Sequence, residues 1–112
     1  MKTKKFKFNY RGENMELDVE VCDNVFSQAK GLMFRNDGKA LLFIFSNSKL
    51  RAIHSFFCKP FFAIWFDKMH VIDDKLVDKW KPSIYPSEKF DMLLEIPARN
   101  KMFGEISRRR NL

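Results

Sequence analysis

The sequence predicts an all-β, mainly antiparallel fold: a small sandwich, jelly-roll-like, or a partly closed barrel of about seven strands with one short helix near 24–30. Three observations carry this. Apolar and polar side chains alternate strictly at the start of the chain, apolar runs of strand length recur through its middle, and no βαβ alternation appears. The 112 residues fit a single domain, 1–112, and thirteen Phe give it ample apolar surface to bury.

Phe6, Phe8 and Tyr10 alternate with Lys5, Lys7 and Asn9, and Met15, Leu17, Val19 and Val21 alternate with Glu16, Asp18 and Glu20. Between them, Arg11-Gly12-Glu13-Asn14 is a turn signal. A loop over 11–14 pairs Tyr10 with Met15, Phe8 with Leu17 and Phe6 with Val19. The same register sets Lys7 opposite Asp18 and Lys5 opposite Glu20, so both faces agree in pattern and charge.

Asp23 or Asn24 suits a helix N-cap and Gly31 a C′ position. After a turn at Asn36-Asp37-Gly38, the apolar run 40–45 predicts a strand covered on both faces, and 46–51 a polar loop. Residues 53–58 and 61–66 are two more apolar runs, broken at Lys59-Pro60, where the ring removes a ladder donor. Asp67-Lys68-Met69-His70 predicts a hairpin turn, 71–80 a strand, 81–89 a loop with Pro82 and Pro86, and 90–96 a last strand closed by Pro97. A basic, mobile tail is expected from about residue 105.

The net charge of +7 sits at the ends. Residues 1–11 carry +5 and residues 99–112 carry +4, which leaves −2 for residues 12–98. Arg108, Arg109 and Arg110 could add weak nonspecific affinity for nucleic acid, or simply form a solvated terminus. The near-neutral body argues against a nucleic-acid-binding barrel, which carries a basic groove. No apolar run is long enough to span a membrane, and no apolar segment follows the basic start. A cytoplasmic, reducing setting is therefore expected. Cys22 and Cys58 are too few for a disulfide framework, and with His54 and His70 they lack metal-ligand spacing; neither metal nor cofactor is expected.

On a strand, His54 and Cys58 would lie about 13 Å apart at roughly 3.3 Å per residue, too far for a catalytic dyad. Asp73 and Asp74 would point to opposite faces, and no phosphate loop or nucleophile elbow is present. Nothing in the spacing is diagnostic of an enzyme. Arg35 offers a planar fork for a carboxylate or phosphate, and equally for an internal pair with Asp37 or Asp67. Phe56, Phe57, Phe61, Phe62, Trp65 and Phe66 crowd one stretch, which predicts a core-facing set and a second set for a groove, an interface or a loop-covered face.

These segments resemble a known family. Gln28-Ala29-Lys30-Gly31-Leu32-Met33-Phe34-Arg35 resembles the Gly-Leu-Met-Phe-Arg signature of the domain of unknown function 192 family. The run 40–45, the segment from His54 to the Lys59-Pro60 pair in what resembles an archaeal-type form, Ile64-Trp65-Phe66-Asp67, Lys81-Pro82 and Leu94-Glu95-Ile96-Pro97-Ala98 follow in the family's order. The resemblance covers about residues 17–98 and implies a small β-barrel or jelly-roll-like fold. It implies no activity. Ser27 and Gln28 stand where the family usually has an acid and an Arg, and the stretch 99–104 is shortened.

The expected function is a non-enzymatic binding module for a small anionic or peptide-like ligand. Its site is expected at Arg35, His54, Phe56, Phe57, Lys59 and Asp67, beside the motif residues Gly31, Leu32, Met33, Phe34 and Pro60. The alternatives are a nucleic-acid-associated barrel using its basic ends, or an enzyme of unknown reaction.

Overall fold

In the computed structural model, which describes residues 2–111, one sheet carries all six described strands. Along the chain these are β1 (Thr3–Tyr10), β2 (Glu13–Cys22), β3 (Ala40–Lys49), β4 (Phe61–Asp67), β5 (His70–Val77) and β6 (Phe90–Pro97). Helix α1 (Val25–Lys30) lies between β2 and β3, and α2 (Met102–Arg110) follows β6. The strand order is β1-β2-β3-β6-β4-β5. Every neighbouring pair is antiparallel except β2 and β3, which are parallel. The chain is thus mostly β, with a mixed sheet curled into a half-barrel and two short helices.

The curl is visible in what the edge strands touch. Phe6 and Phe8 of β1 each set a ring edge-on to Phe66 of β4, at 5.5 Å, although β2, β3 and β6 lie between them in the sheet. Arg11, in the β1–β2 turn, reaches Asp74 of β5 at 3.3 Å, and Arg110 of α2 reaches the same carboxylate at 2.6 Å. The enclosed inner face holds Phe6, Phe8, Met15, Leu17, Ala40, Leu42, Phe62, Ile64, Phe66, Leu94 and Ile96, with Ile106 of α2 buried against them. The outer face holds Cys22, Leu41, Phe43, Phe61, Ala63, Trp65, Phe90 and Leu93. Strands β3, β4 and β6 therefore contribute buried residues to both faces, as the unbroken apolar run 40–45 predicts for β3.

Four expectations need correction. The first hairpin pairs Phe6 with Leu17, Phe8 with Met15 and Tyr10 with Glu13, a slip of two residues from the predicted register. Its loop is only Arg11 and Gly12, with φ of 50° and 85°, the left-handed geometry of a two-residue turn that matches strand twist. A slip of two keeps every side chain on its expected face, but the charge partners change: Lys5 faces Asp18, at 3.3 Å, where Glu20 was expected, and Lys7 faces Glu16 where Asp18 was expected.

Second, residues 53–58 form no strand; their only ladder contact is a single bridge between Ile53 and Ile84. Third, 46–49 extend β3 where a loop was expected. Fourth, the expected mobile tail from about 105 is folded as α2. Ile106 anchors it, Phe103 packs on Phe62 with centroids 4.6 Å apart, and Arg108 and Arg109 approach Glu13 at 3.7 and 3.3 Å.

Helix α1 forms as expected. The Asn24 side chain accepts the Ser27 N–H at 2.8 Å, and Gly31 ends the helix at φ 49° with its N–H donated to the Ser27 carbonyl.

Candidate functional site

One row crosses the middle of the outer face: Glu20 on β2, Leu41 on β3, Glu95 on β6 and Ala63 on β4 are register partners in turn. Both carboxylates in that row are buried, with relative exposures of 7% for Glu20 and 5% for Glu95. Their surroundings are opposite. Glu20 receives two hydrogen bonds from the Arg35 guanidinium, at 2.8 and 2.9 Å, and has Lys39 at 3.5 Å. That grip holds the Glu20 carboxyl below its ordinary range. Arg35 also binds Asp37 at 2.6 Å.

Glu95 has no hydrogen-bond or ion-pair partner among the described residues. Burial alone pushes its carboxyl from 4.5 up to about 8. It borders a cavity of about 340 Å³ walled by Phe43, Phe45, Phe90, Leu93, Ile53 and Leu32, with Cys58 and His54 also lining it. Gly31 lies over the acid. A β-carbon there would stand 3.7 Å from Glu95 Oε1 and 3.4 Å from Phe43, at a φ that side chains rarely adopt. The glycine of the most specific motif thus keeps clear the space beside the buried carboxyl.

The neighbouring polar groups have duties of their own. The Arg51 guanidinium lies 4.1 Å over the Phe45 ring and donates to the carbonyls of Phe90 and Asn47. His54 Nδ1 accepts the Phe56 N–H at 3.2 Å. Gln28 donates its amide to the carbonyls of Cys22 and Ile44, which ties α1 to the end of β2 and to β3. Both cysteines are buried free thiols, and burial raises them to about 11 at Cys22 and about 12 at Cys58.

The residues singled out from sequence separate into several places. Gly31, Leu32 and His54 line the cavity. Arg35 does not; it and Lys59 border a separate pocket of about 20 Å³. Asp67 lies elsewhere, accepting a hydrogen bond from the Ser48 hydroxyl, and is no partner of Arg35. Pro60 accepts the Ala98 N–H, and Met33 packs against the outer core.

Phe56 and Phe57 join Phe34 and Trp80 in an exposed aromatic cluster. Phe34 stacks on Phe57 at 4.6 Å, and Phe57 meets Trp80 edge-on at 4.7 Å. Phe34, Phe57 and Trp80 all have φ near 60°, at 61°, 57° and 64°. Buried Ser55 stitches the loops beneath: its hydroxyl donates to the Asp78 carbonyl and accepts the Lys81 N–H, and its carbonyl accepts the Trp80 N–H.

Sequence reasoning missed Glu95, Arg51 and Ser55. Glu95 carried a signal: it is an acid at the same parity as Leu93, set between Leu94 and Ile96 in a central strand.

A family model described as Uncharacterized ACR, DUF192, matches residues 7–102. The chain belongs to the DUF192 family. No curated protein matches it. Among solved structures, one called a "putative transcription regulator" from Sinorhizobium meliloti superposes with a TM-score of 0.74 at 17% identity, covering 95% of this chain and 83% of its own. A protein of unknown function from Novosphingobium aromaticivorans gives 0.71 at 18% identity, covering 90% and 75%. At such identities the likeness shows the fold alone. Both sources are bacterial, and the archaeal-type form suggested by residues 54–60 finds no support in these matches.

Proposed function

We propose that this DUF192 domain binds a small ligand in the outer-face cavity and does not transform it. One observation carries the reading: a walled cavity of about 340 Å³, mostly aromatic and aliphatic, has one buried carboxyl beside it that no protein group satisfies. Ligand sites are commonly built this way, from an apolar body and a few convergent polar groups.

Binding without turnover is supported by the state of the reactive groups. Thiols raised to about 11 and 12 are protonated at neutral pH and are poor nucleophiles. His54 already spends Nδ1 on a backbone N–H. The expectation of an anionic ligand rested on Arg35, which is committed to Glu20 and Asp37 and lies outside the cavity. The peptide-like alternative, with its hydrogen-bond donors, keeps its basis.

A direct test is ligand-observed NMR with indole as an apolar probe. Saturation transfer to indole is expected with the native chain. It should be lost in Ala52→Phe, which fills the rim at an exposed position. Equal transfer in both proteins, or none in the native chain, would overturn the reading.

A further inference from the structure

We propose that the ligand of this cavity is an organic ammonium: a primary amine on an apolar body, with its charge against the Glu95 carboxylate and its body among Phe43, Phe45 and Phe90. This rests on the small-ligand reading above and names its chemistry.

The comparison within one row of the sheet is the first support. Glu20 and Glu95 are both buried on the same face, with Leu41 between them in the row. The protein supplies Arg35 and Lys39 to the first and no cation to the second. The groups facing Glu95 are Gly31 above it, Leu41 and Ala63 beside it in the sheet, and the thiols of Cys22 and Cys58 close enough to feel its charge. None can neutralise a carboxylate. Lys30 and Arg51 line the cavity, but neither relieves Glu95, whose only perturbation is burial. A buried carboxyl without a partner is costly as an anion. A ligand that brings a positive charge is the complement the protein does not provide.

The walls are the second support. Aromatic faces attract cations, and aromatic cages bind ammonium ligands this way. The rim already displays that attraction, with the Arg51 guanidinium over Phe45 at 4.1 Å and over Phe90 at 5.6 Å. An anionic ligand seated against the carboxyl would gain no such attraction from it, and Arg51 is already engaged by Phe45, Phe90 and two backbone carbonyls.

Proton balance follows. In the free protein the Glu95 carboxyl holds its proton at neutral pH. When an ammonium binds, that proton passes to solvent, the ligand keeps its three, and the neutral acid becomes a carboxylate paired with the cation the ligand brought. Binding of amines should therefore release protons and strengthen as pH rises through the range where Glu95 titrates.

The test uses three probes of one shape: benzylamine, benzyl alcohol and benzoate, titrated into the full chain by NMR and by calorimetry in two buffers of different ionisation enthalpy. Benzylamine should bind about tenfold more tightly than benzyl alcohol near pH 8, a difference that shrinks toward pH 6. Close to one proton should be released per amine at pH 7. In Glu95→Gln, benzylamine should fall to the level of benzyl alcohol while the alcohol is unaffected. Equal binding of amine and alcohol, or tighter binding of benzoate, would overturn the ammonium assignment and leave the small-ligand reading standing. Binding of none of the three would overturn both.

Discussion

The two faces of the sheet are closed by different means. The inner face is sealed by secondary structure: the β1–β2 hairpin curls over it and α2 seats Ile106 in the gap. The outer face is covered by α1 and by loops, and it keeps a cavity, a lone acid and three aromatic residues in left-handed backbone. Regular elements satisfy their own backbone and interlock, so they pack densely; loops need individual hydrogen bonds, such as those of Ser55, and leave room. Under the proposed function, stability and binding would fall to opposite sides of the same strands. Arg11, Lys68 and Met69 take positive φ in hairpin turns, whereas Phe34, Phe57 and Trp80 take it in the loops of the outer side, where such strain is commonly associated with sites.

The sharpest way to break this comparison is to truncate one aromatic on each face. Phe66→Ala, inside, should cost about 4 kcal/mol, since both Phe6 and Phe8 lose their edge-on partner. Phe43→Ala, outside, enlarges a space that already exists and should cost only about half as much. Equal costs in urea denaturation would show that the outer face is packed as tightly as the inner.

Next in size is Glu95→Gln, which should stabilise. The folded carboxyl is raised to about 8 from an ordinary 4.5, so between those values the folded state holds a proton that the unfolded state has released. Stability from this group is therefore greatest below the unfolded value and is lost as pH rises toward 8. The substitution should remove that decline and add on the order of 4 kcal/mol near pH 8, with little change at pH 4. Melting temperatures at the two pH values check it.

Arg35→Ala should act in the opposite sense, by about 2 kcal/mol at neutral pH, because it leaves Glu20 buried with only Lys39 nearby. Glu20 is held below its ordinary range, so its contribution is present above that range and disappears as pH falls through the folded value. Native and mutant melting curves should converge in acid. The smallest effect is expected for Gly31→Ala, about 1–2 kcal/mol from the left-handed φ and the approach to Phe43. Backbone shifts confined to the outer face in an NMR spectrum would accompany it.

Much of the inner face was legible in the sequence and little of the outer site was. Alternation over 5–21 assigns each hairpin residue to its face, because a period of two survives a register slip of two. The slip itself arose at Arg11, whose positive φ lets it join Gly12 in a shorter turn than side-chain pairing suggested. At the other end, Arg108, Arg109 and Arg110 mask a helix. The apolar stripe of Met102, Phe103 and Ile106 is the readable signal, and Asp74 and Glu13 absorb much of the positive charge. Residues 53–58 look like a strand by composition, yet Phe57 at φ 57° and the Ser55 network bend them away. Glu95 lay within a quoted motif, but which acid is left without a cation is decided by Arg35, and that choice depends on tertiary distances that periodicity does not carry.

One feature of the topology fixes where variation can enter. Parallel neighbours such as β2 and β3 cannot be joined by a tight hairpin, so a long crossover is obligatory. Here it is residues 23–39, and it contains α1, Gly31 and Arg35. The slack that strand direction demands is thus the same chain that roofs the cavity and chooses which acid receives an arginine. Changes within that crossover can redraw the roof while the ladders on either side keep their registers. In engineering terms, it is the segment to randomise first when a new ligand is wanted from an unchanged sheet.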